Sequence, residues 1–167
     1  MKKLLTLVLA LVMALSVSVT AFAADTTINQ DSAEKTGSTA VTFNVDPTYT
    51  VTIPEKVELN QVNNGGTITY EQDLTVTAAA GVRLSAGEVI QVTLKSDSEF
   101  NLSAGADYKL PYTVTVGNNT IANNGVVAAF GTSNAAQTAT LHFAAGNPTY
   151  AGDYSDTVIF TLAIVNE

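Results

Sequence analysis

The stretch that decides the fold closes the chain and reads Y-A-G-D-Y-S-D-T-V-I-F-T-L-A-I-V-N-E over residues 150–167. After a turn at residues 151–153, large apolar side chains recur at every second position: Val158, Phe160, Leu162 and Ile164. A period of two is typical of a β-strand with one face in a core. The opposite face is also mostly apolar or β-branched, so the sequence predicts a central strand rather than an edge strand.

The same alternation recurs through the chain, and turn residues separate the alternating segments. The first such segment is expected at residues 41–45, where Val41, Phe43 and Val45 alternate with polar residues. No segment shows a helical period. This pattern predicts an all-β fold, an antiparallel two-sheet immunoglobulin-like sandwich of about 7–10 short strands.

The N-terminus carries the features of an export signal. A basic start at Lys2 and Lys3 precedes an apolar run over residues 4–19, and alanines occupy positions 21 and 23. This pattern predicts a signal peptide over residues 1–23, with no membrane span after its removal. We therefore expect a secreted protein that is extracellular or loosely associated with the cell surface.

The remaining chain divides into a leader and one domain. Residues 24–38 are polar, with Ile28 as their only large apolar side chain, so we expect a flexible leader. Residues 39–167 have a length that suits a single β-sandwich domain. The chain has no cysteine, so the domain must rely on its core rather than on disulfides.

The predicted core joins the inner face of the closing strand to four residues elsewhere, namely Phe43, Val51, Leu141 and Phe143. Phe160 is the largest side chain of the closing strand and is expected to have a structural role. Its burial is predicted, and Phe160→Ala should cost roughly 3–5 kcal/mol of stability.

The charge balance limits the partners of the protein. The chain has 7 basic and 15 acidic residues, and loss of Lys2 and Lys3 with the signal peptide leaves a net charge of −10. Nucleic acid and anionic wall polymers repel such a chain. We expect no nucleic-acid partner, and contact with a cell-wall glycan or a surface protein instead.

Catalytic chemistry is not indicated by the sequence. His142 is the only histidine, and it faces away from Leu141 and Phe143 in a strand. No Gly-x-Ser-x-Gly motif is present, and the three-residue spacing of Asp153 and Asp156 points their carboxylates to opposite faces. We predict no enzyme, no catalytic residues, no cofactor and no metal, and interpret the two aspartates as solvated turn acids. A calcium site in their turn is the alternative.

Three tyrosines are candidates for other roles. Tyr108 and Tyr150 are expected to be exposed and are the candidate ligand-binding residues, because sugar-binding faces use exposed aromatic rings. The alternative is that they fill the rim of the core. Tyr154, just before the closing strand, is expected to have a structural role, with its ring packed and its hydroxyl on a backbone carbonyl as in a tyrosine corner.

Two stretches resemble small secreted or surface β-sandwich proteins of bacteria. Residues 148–162, P-T-Y-A-G-D-Y-S-D-T-V-I-F-T-L, are similar to the final strand of spore coat protein U-like and pilin-like domains. Residues 49–60, Y-T-V-T-I-P-E-K-V-E-L-N, resemble the start of WxL-type surface proteins, although the chain has no tryptophan and so lacks the Trp-x-Leu motif. The pilin-like resemblance implies an immunoglobulin-like sandwich with a structural or adhesive role.

The function expected from these observations is a non-enzymatic cell-surface structural or adhesive module. The alternative is a small carbohydrate-binding module. Pilin-type domains that polymerise donate an N-terminal extension with alternating apolar side chains to a neighbour. Within residues 24–38 only Ile28 meets that need, and four charged groups accompany it, so we expect a monomer.

Overall fold

The computed structural model describes residues 27–33, 35–105 and 108–167. The predicted signal peptide, residues 1–23, lies outside the described residues. Contacts within the chain divide it into two units, with the boundary between Phe43 and Asn44.

The described part of the first unit contains a turn but no strand. The Ser32 N–H donates to the Asn29 carbonyl at 3.2 Å, and the Asp31 N–H donates to Asn29 Oδ1 at 2.9 Å. Asparagine favours such turns because its side chain can replace a backbone acceptor. Further along, Val41 is 92% exposed and Phe43 is 89% exposed. The prediction of a first strand at residues 41–45 was therefore wrong, because an alternating sequence needs a partner strand for its backbone groups.

The second unit contains all the strands of the described chain. In order they are β1 Val51–Thr52, β2 Asn60–Asn64, β3 Thr67–Ala78, β4 Glu88–Ser96, β5 Asn101–Ala104, β6 Tyr108–Val116, β7 Asn119–Thr120, β8 Gly125–Phe130, β9 Gln137–Gly146 and β10 Val158–Asn166. Among the described residues, no helix could span a membrane.

Ten strands form two antiparallel sheets. The larger sheet has the order β1-β3-β9-β6-β5, with β2 also paired to β3 and β7 to β6. The smaller sheet has the order β10-β4-β8. These sheets confirm the predicted antiparallel two-sheet sandwich.

The core takes alternate residues from both sheets. Its fully buried aliphatic side chains are Val76 of β3, Ile90, Val92 and Leu94 of β4, Val114 of β6 and Leu141 of β9, together with Val82. Tyr112 and Phe143 stack with ring centroids 6.1 Å apart, and both rings are buried. The alternation that the sequence predicted for these strands therefore places one face of each in the core.

The closing strand, β10, lies at an edge of the smaller sheet. It pairs with β4 from Val158 opposite Ser96 to Asn166 opposite Glu88, and no further strand of the described chain pairs with it. The prediction of a central strand was wrong. Apolar residues on both faces indicate that both faces are covered, but they do not set the number of paired neighbours, and among the described residues β10 pairs with β4 alone.

The predicted core is correct in part. Leu141 and Phe143 are buried, and the partly buried side chains packed against the core include Val51, Val158, Phe160 and Leu162. Phe43 at 89% and Ile164 at 40% are exposed, so their predicted burial was wrong. Phe43 precedes the first strand, and Ile164 lies on the uncovered edge strand.

The exposure of Phe160 lowers the expected cost of its removal. Because its ring is only partly buried, Phe160→Ala is expected to reduce the free energy of unfolding by about 2 kcal/mol rather than the value for a fully buried ring. Urea unfolding measures this difference. Thr161→Ala, an exposed neighbour, is the control and should change stability by less than about 0.5 kcal/mol. Equal losses of unfolding free energy in the two variants would show that the Phe160 ring does not pack against the core.

Candidate functional site

The inner face of β10 is incompletely covered. On β4 the inward residues are completely buried: Ile90, Val92 and Leu94 at 0% exposure. Their register partners on β10 are Ile164, which is exposed, and Leu162 and Phe160, which are partly buried. β4 has a strand on each side, whereas among the described residues β10 pairs with β4 alone. Apolar surface therefore remains open along the free side of β10, which we call the β10 edge.

The other edge of the same sheet is closed. β8 also pairs with β4 alone, yet its Val127 and Phe130 are only 3% and 2% exposed. Its pairing with β4 also shifts register between Val92 and Thr93. Such irregularities protect edge strands from unwanted pairing. Being at an edge is therefore not sufficient to explain the open face of β10.

The β10 edge lacks the usual protection against strand addition. Its nine residues, V-I-F-T-L-A-I-V-N, include no charged residue and no proline. Natural edge strands commonly carry a lysine, a proline or a bulge, because a free row of N–H and C=O groups is a template for another strand. β10 is thus a long edge that is ready to pair.

Residues 39–47 have the complementary character, and we call them the N-terminal arm. Every residue of the arm is described, and none belongs to a strand. Val41, Phe43 and Val45 are 92%, 89% and 53% exposed and alternate with Thr42 and Asn44. Three large apolar side chains thus recur at alternate positions, the pattern of one strand face, in a segment that no described strand pairs with.

An uncovered sheet edge and an alternating segment without a strand partner are the two components of strand addition. In this mode an extended segment joins a sheet edge, its backbone completes the hydrogen-bond ladder, and alternate side chains enter the apolar face. The edge offers the ladder and the uncovered face, and the arm offers the alternating side chains. The arm also contains a single charged residue, Asp46, at its C-terminal end.

A buried polar cluster holds the start of β10 in place. Ser96, 1% exposed, donates from Oγ to Asp156 Oδ2 at 2.7 Å, and the Tyr112 hydroxyl donates to the same oxygen at 2.7 Å. Asp156 Oδ1 accepts the Thr157 N–H at 2.7 Å. Asn123 exchanges two hydrogen bonds, of 2.8 and 3.0 Å, with the Ser96 backbone. The cluster therefore links β4 and β6 to the two residues that precede β10.

Ser96 also stabilises a strained turn. Its Oγ accepts the N–H groups of Ser98 at 3.1 Å and Phe100 at 2.7 Å. Glu99 and Phe100 have φ angles of 52° and 58°, in the left-handed region that costs energy for residues other than glycine. The hydrogen bonds of the cluster offset that cost.

Burial raises the pKa of the Tyr112 hydroxyl above its ordinary value of 10.0, and the hydrogen bond to the Asp156 carboxylate raises it further. Above about pH 10 the unfolded chain loses this proton while the folded protein keeps it. The unfolded state then binds fewer protons, so stability falls as pH rises.

The Tyr112→Phe variant isolates this contribution. Between about pH 10 and pH 11 the unfolding free energy of the parent should fall by up to roughly 1.4 kcal/mol more than that of the variant. Below about pH 9 the difference between the two proteins should be constant. Urea titrations across this range measure the slopes, and parallel slopes above pH 10 would contradict the assignment.

The two candidate ligand-binding tyrosines lie together. The rings of Tyr108 and Tyr150 have centroids 4.5 Å apart at an interplanar angle of 43°, and the residues are 47% and 54% exposed. Tyr154 is partly buried, and its hydroxyl donates to the Tyr150 carbonyl at 3.0 Å. This is the type of hydrogen bond expected of its proposed structural role, and it fixes the backbone beneath one ring of the pair.

The remaining titratable candidates are separate from these sites. His142 contacts Asp73 with Nδ1 at 2.8 Å and Glu71 with Nε2 at 3.6 Å, on the outer face of the larger sheet. Asp153 is exposed, whereas Asp156 is partly buried and hydrogen-bonded, so it departs from the interpretation as a solvated acid. Within the described residues no group of three or more His, Asp or Glu side chains is arranged to hold a metal ion.

Several site residues were not recognised in the sequence. The alternation of residues 41–45 predicts an internal strand, and no pattern in the sequence links Ser96, Tyr112 or Asn123 to Asp156. The alternation of the arm was visible, and its single charge before Pro47 marked its end. Ser96 and Asp156 are 60 residues apart, so no local pattern connects them.

No protein-family model matches the chain, and no curated protein matches it significantly. Solved structures do match. A chaperone–usher pilus, solved to explain the uncoiling of its rod, aligns with TM-score 0.51 and 13% identity over 83% of this chain and 99% of that one. This similarity establishes a pilin-like, immunoglobulin-like sandwich fold for the chain.

Two further solved structures align at lower scores. The P pilus rod subunit PapA gives TM-score 0.49 and 10% identity over 69% of this chain and 99% of that one. A chain of the CFA/I chaperone–tip adhesin complex gives 0.48 and 15% over 68% of this chain, and the alignment spans 41% of that chain. Neither a spore coat protein U-like domain nor a WxL protein is among these three, so those two resemblances stay predictions.

Proposed function

We propose that this chain is a secreted, non-enzymatic structural module of the cell surface whose copies join by strand addition. The arm of one copy pairs with the β10 edge of the next. The observation that carries this proposal is the open, uncharged inner face of β10 in a chain that also exposes an unpaired alternating arm.

The energies are of the size that such an assembly needs. Burial of Val41, Phe43 and Val45 contributes roughly 1.5–3 kcal/mol each, and each new backbone hydrogen bond adds about 0.5–1.5 kcal/mol. Association costs about 4–15 kcal/mol in lost translational and rotational freedom. The gain exceeds the cost by a few kcal/mol when several backbone hydrogen bonds form together with the burial, so assembly should depend on protein concentration, and the net charge of the chain opposes it.

This proposal replaces the expectation of a monomer. That expectation counted only residues 24–38 as the extension, where Ile28 is the single large apolar residue. The segment without strand partners continues to residue 47 and adds three large apolar side chains with one charge. The fold shared with a subunit of a chaperone–usher pilus supports a structural role, since a pilus is an assembly of subunits.

Light scattering coupled to size exclusion tests the proposal on three chains. Residues 24–167 should show a mass that rises with concentration, whereas residues 48–167, which lack the arm, should show the monomer mass throughout. Residues 39–167 are the matched control and should associate like the longer chain, because they lack only the leader. Monomers of all three up to about 100 μM would contradict the proposal, since three buried side chains should give measurable association there.

A further inference from the structure

We propose that Tyr108 and Tyr150 form a binding site for a neutral saccharide. The site shares no residue with the arm or the β10 edge, so this inference stands or fails independently of the assembly. The tyrosine pair consists of two rings in contact at a centroid distance of 4.5 Å, each about half exposed.

The position of the pair is fixed by the backbone around it. Ser103 and Ser155 exchange two backbone hydrogen bonds, of 2.8 and 3.0 Å, which tie the strand before Tyr108 to the loop after Tyr150. Gly152 lies so close to that strand that a Cβ atom on it would be 3.4 Å from the Ala104 Cβ. With the Tyr154 hydroxyl on the Tyr150 carbonyl, these contacts hold the loop in one arrangement. A rigid site loses little entropy on binding.

The chemistry of the pair fits a sugar ring. A pyranose has an apolar C–H face and a rim of hydroxyls, and a tyrosine has an apolar ring face and a hydroxyl that donates and accepts. Tyrosine also has few rotatable bonds, so it supplies contact area at low entropic cost. Asn147 and Thr149, both exposed and close to Tyr150 in sequence, add amide and hydroxyl groups for further hydrogen bonds.

Charge favours a neutral ligand over an anionic one. The chain without its signal peptide carries a net charge of −10, which repels uronic, sialylated or phosphorylated polymers. Asp153 lies three residues after Tyr150 and is exposed, which adds a local negative charge. Lys109 next to Tyr108 balances it in part.

The test is a glycan array of neutral hexose and N-acetylhexosamine oligomers, probed with residues 24–167. Neutral oligomers should bind, and Tyr108→Ala and Tyr150→Ala should each weaken binding by about tenfold or more, the effect of removing a central aromatic contact. Tyr108→Phe keeps the ring and should retain most of the affinity. Tyr49→Ala is the matched control, because Tyr49 is 45% exposed and lies outside the pair.

Two further measurements distinguish the competing ligands. The array includes sialylated glycans, and a separate titration uses a proline-rich peptide, the other common ligand of exposed aromatic residues. No binding to any neutral oligomer, binding to sialylated glycans or the peptide alone, or equal binding by Tyr150→Ala and the parent would each overturn the proposal. All variants should melt within a few degrees of the parent, because the substituted rings are about half exposed.

Discussion

Replacing Asp156 by alanine is expected to lower the free energy of unfolding by about 3–5 kcal/mol. The carboxylate accepts hydrogen bonds from Ser96, Tyr112 and the Thr157 backbone, each at 2.7 Å. A hydrogen bond to a charged group contributes about 1.5–3 kcal/mol, and its loss leaves a buried donor without a partner. Because the contributions are not additive, the total stays below their sum.

Urea unfolding of residues 24–167 measures this effect, and two variants serve as controls. Asp153→Ala removes an exposed carboxylate three residues earlier and should change stability by less than about 0.5 kcal/mol. Asp156→Asn keeps an acceptor oxygen without the charge and should fall between Asp156→Ala and the parent. A loss below about 1 kcal/mol for Asp156→Ala would show that the cluster does not hold the start of β10.

Replacing Phe43 by glutamate is expected to weaken association between copies by more than about 100-fold. The substitution puts an unpaired charge where the arm inserts its largest side chain, and burying such a charge costs several kcal/mol. Because Phe43 is 89% exposed in the single chain, the stability of the sandwich should not change. Sedimentation equilibrium measures the association constant, and thermal melts at low concentration measure the stability.

Thr42→Glu is the matched control for this variant. It adds the same charge one position earlier, on the opposite face of the arm. Its association should remain within about tenfold of the parent, because that side chain faces away from the inner face of the neighbour. Equal loss in both variants would show that charge repulsion, rather than insertion of alternate side chains, governs association.

The fold class could be predicted from the sequence because its signals are local. Alternation at β4, β9 and β10 reflects which residues face the core, and glycine and asparagine turns separate the strands. Strand order is different, because pairing partners are set by contacts between distant segments. β10 pairs with β4, which lies more than sixty residues earlier in the chain.

The dependence of strand pairing on distant contacts also explains the two wrong predictions at the proposed assembly site. A period of two in residues 41–45 shows that the segment suits a strand, but it does not show to which chain the partner strand belongs. Apolar residues on both faces of β10 likewise show that it suits an interior position. If copies join as proposed, both patterns describe the assembled state, while the single chain leaves both segments exposed.

For the tyrosine pair, exposure could be predicted and proximity could not. Tyr108 begins β6 and Tyr150 lies in the loop before β10, and their contact depends on how Ser155 pairs with Ser103. The Asp156 cluster was missed for the same reason, since Tyr112 is 44 residues away from Asp156.

Disulfide formation between two differently substituted chains tests the strand-addition proposal most directly. The protein has no cysteine of its own, so Phe43→Cys copies can be mixed with Leu162→Cys copies under mild oxidation. A disulfide requires the two Cα atoms to approach within about 4.4–6.8 Å, a distance that neighbouring strands provide. The comparison mixture pairs Phe43→Cys with Ala128→Cys on β8, which lies opposite Val92 on the inner face at the other edge of the same sheet. The proposal predicts a covalent heterodimer for Leu162→Cys, or for its inner-face neighbours Phe160→Cys and Ile164→Cys, and little for Ala128→Cys. Equal cross-linking at both edges, or none at the three β10 positions, would contradict it.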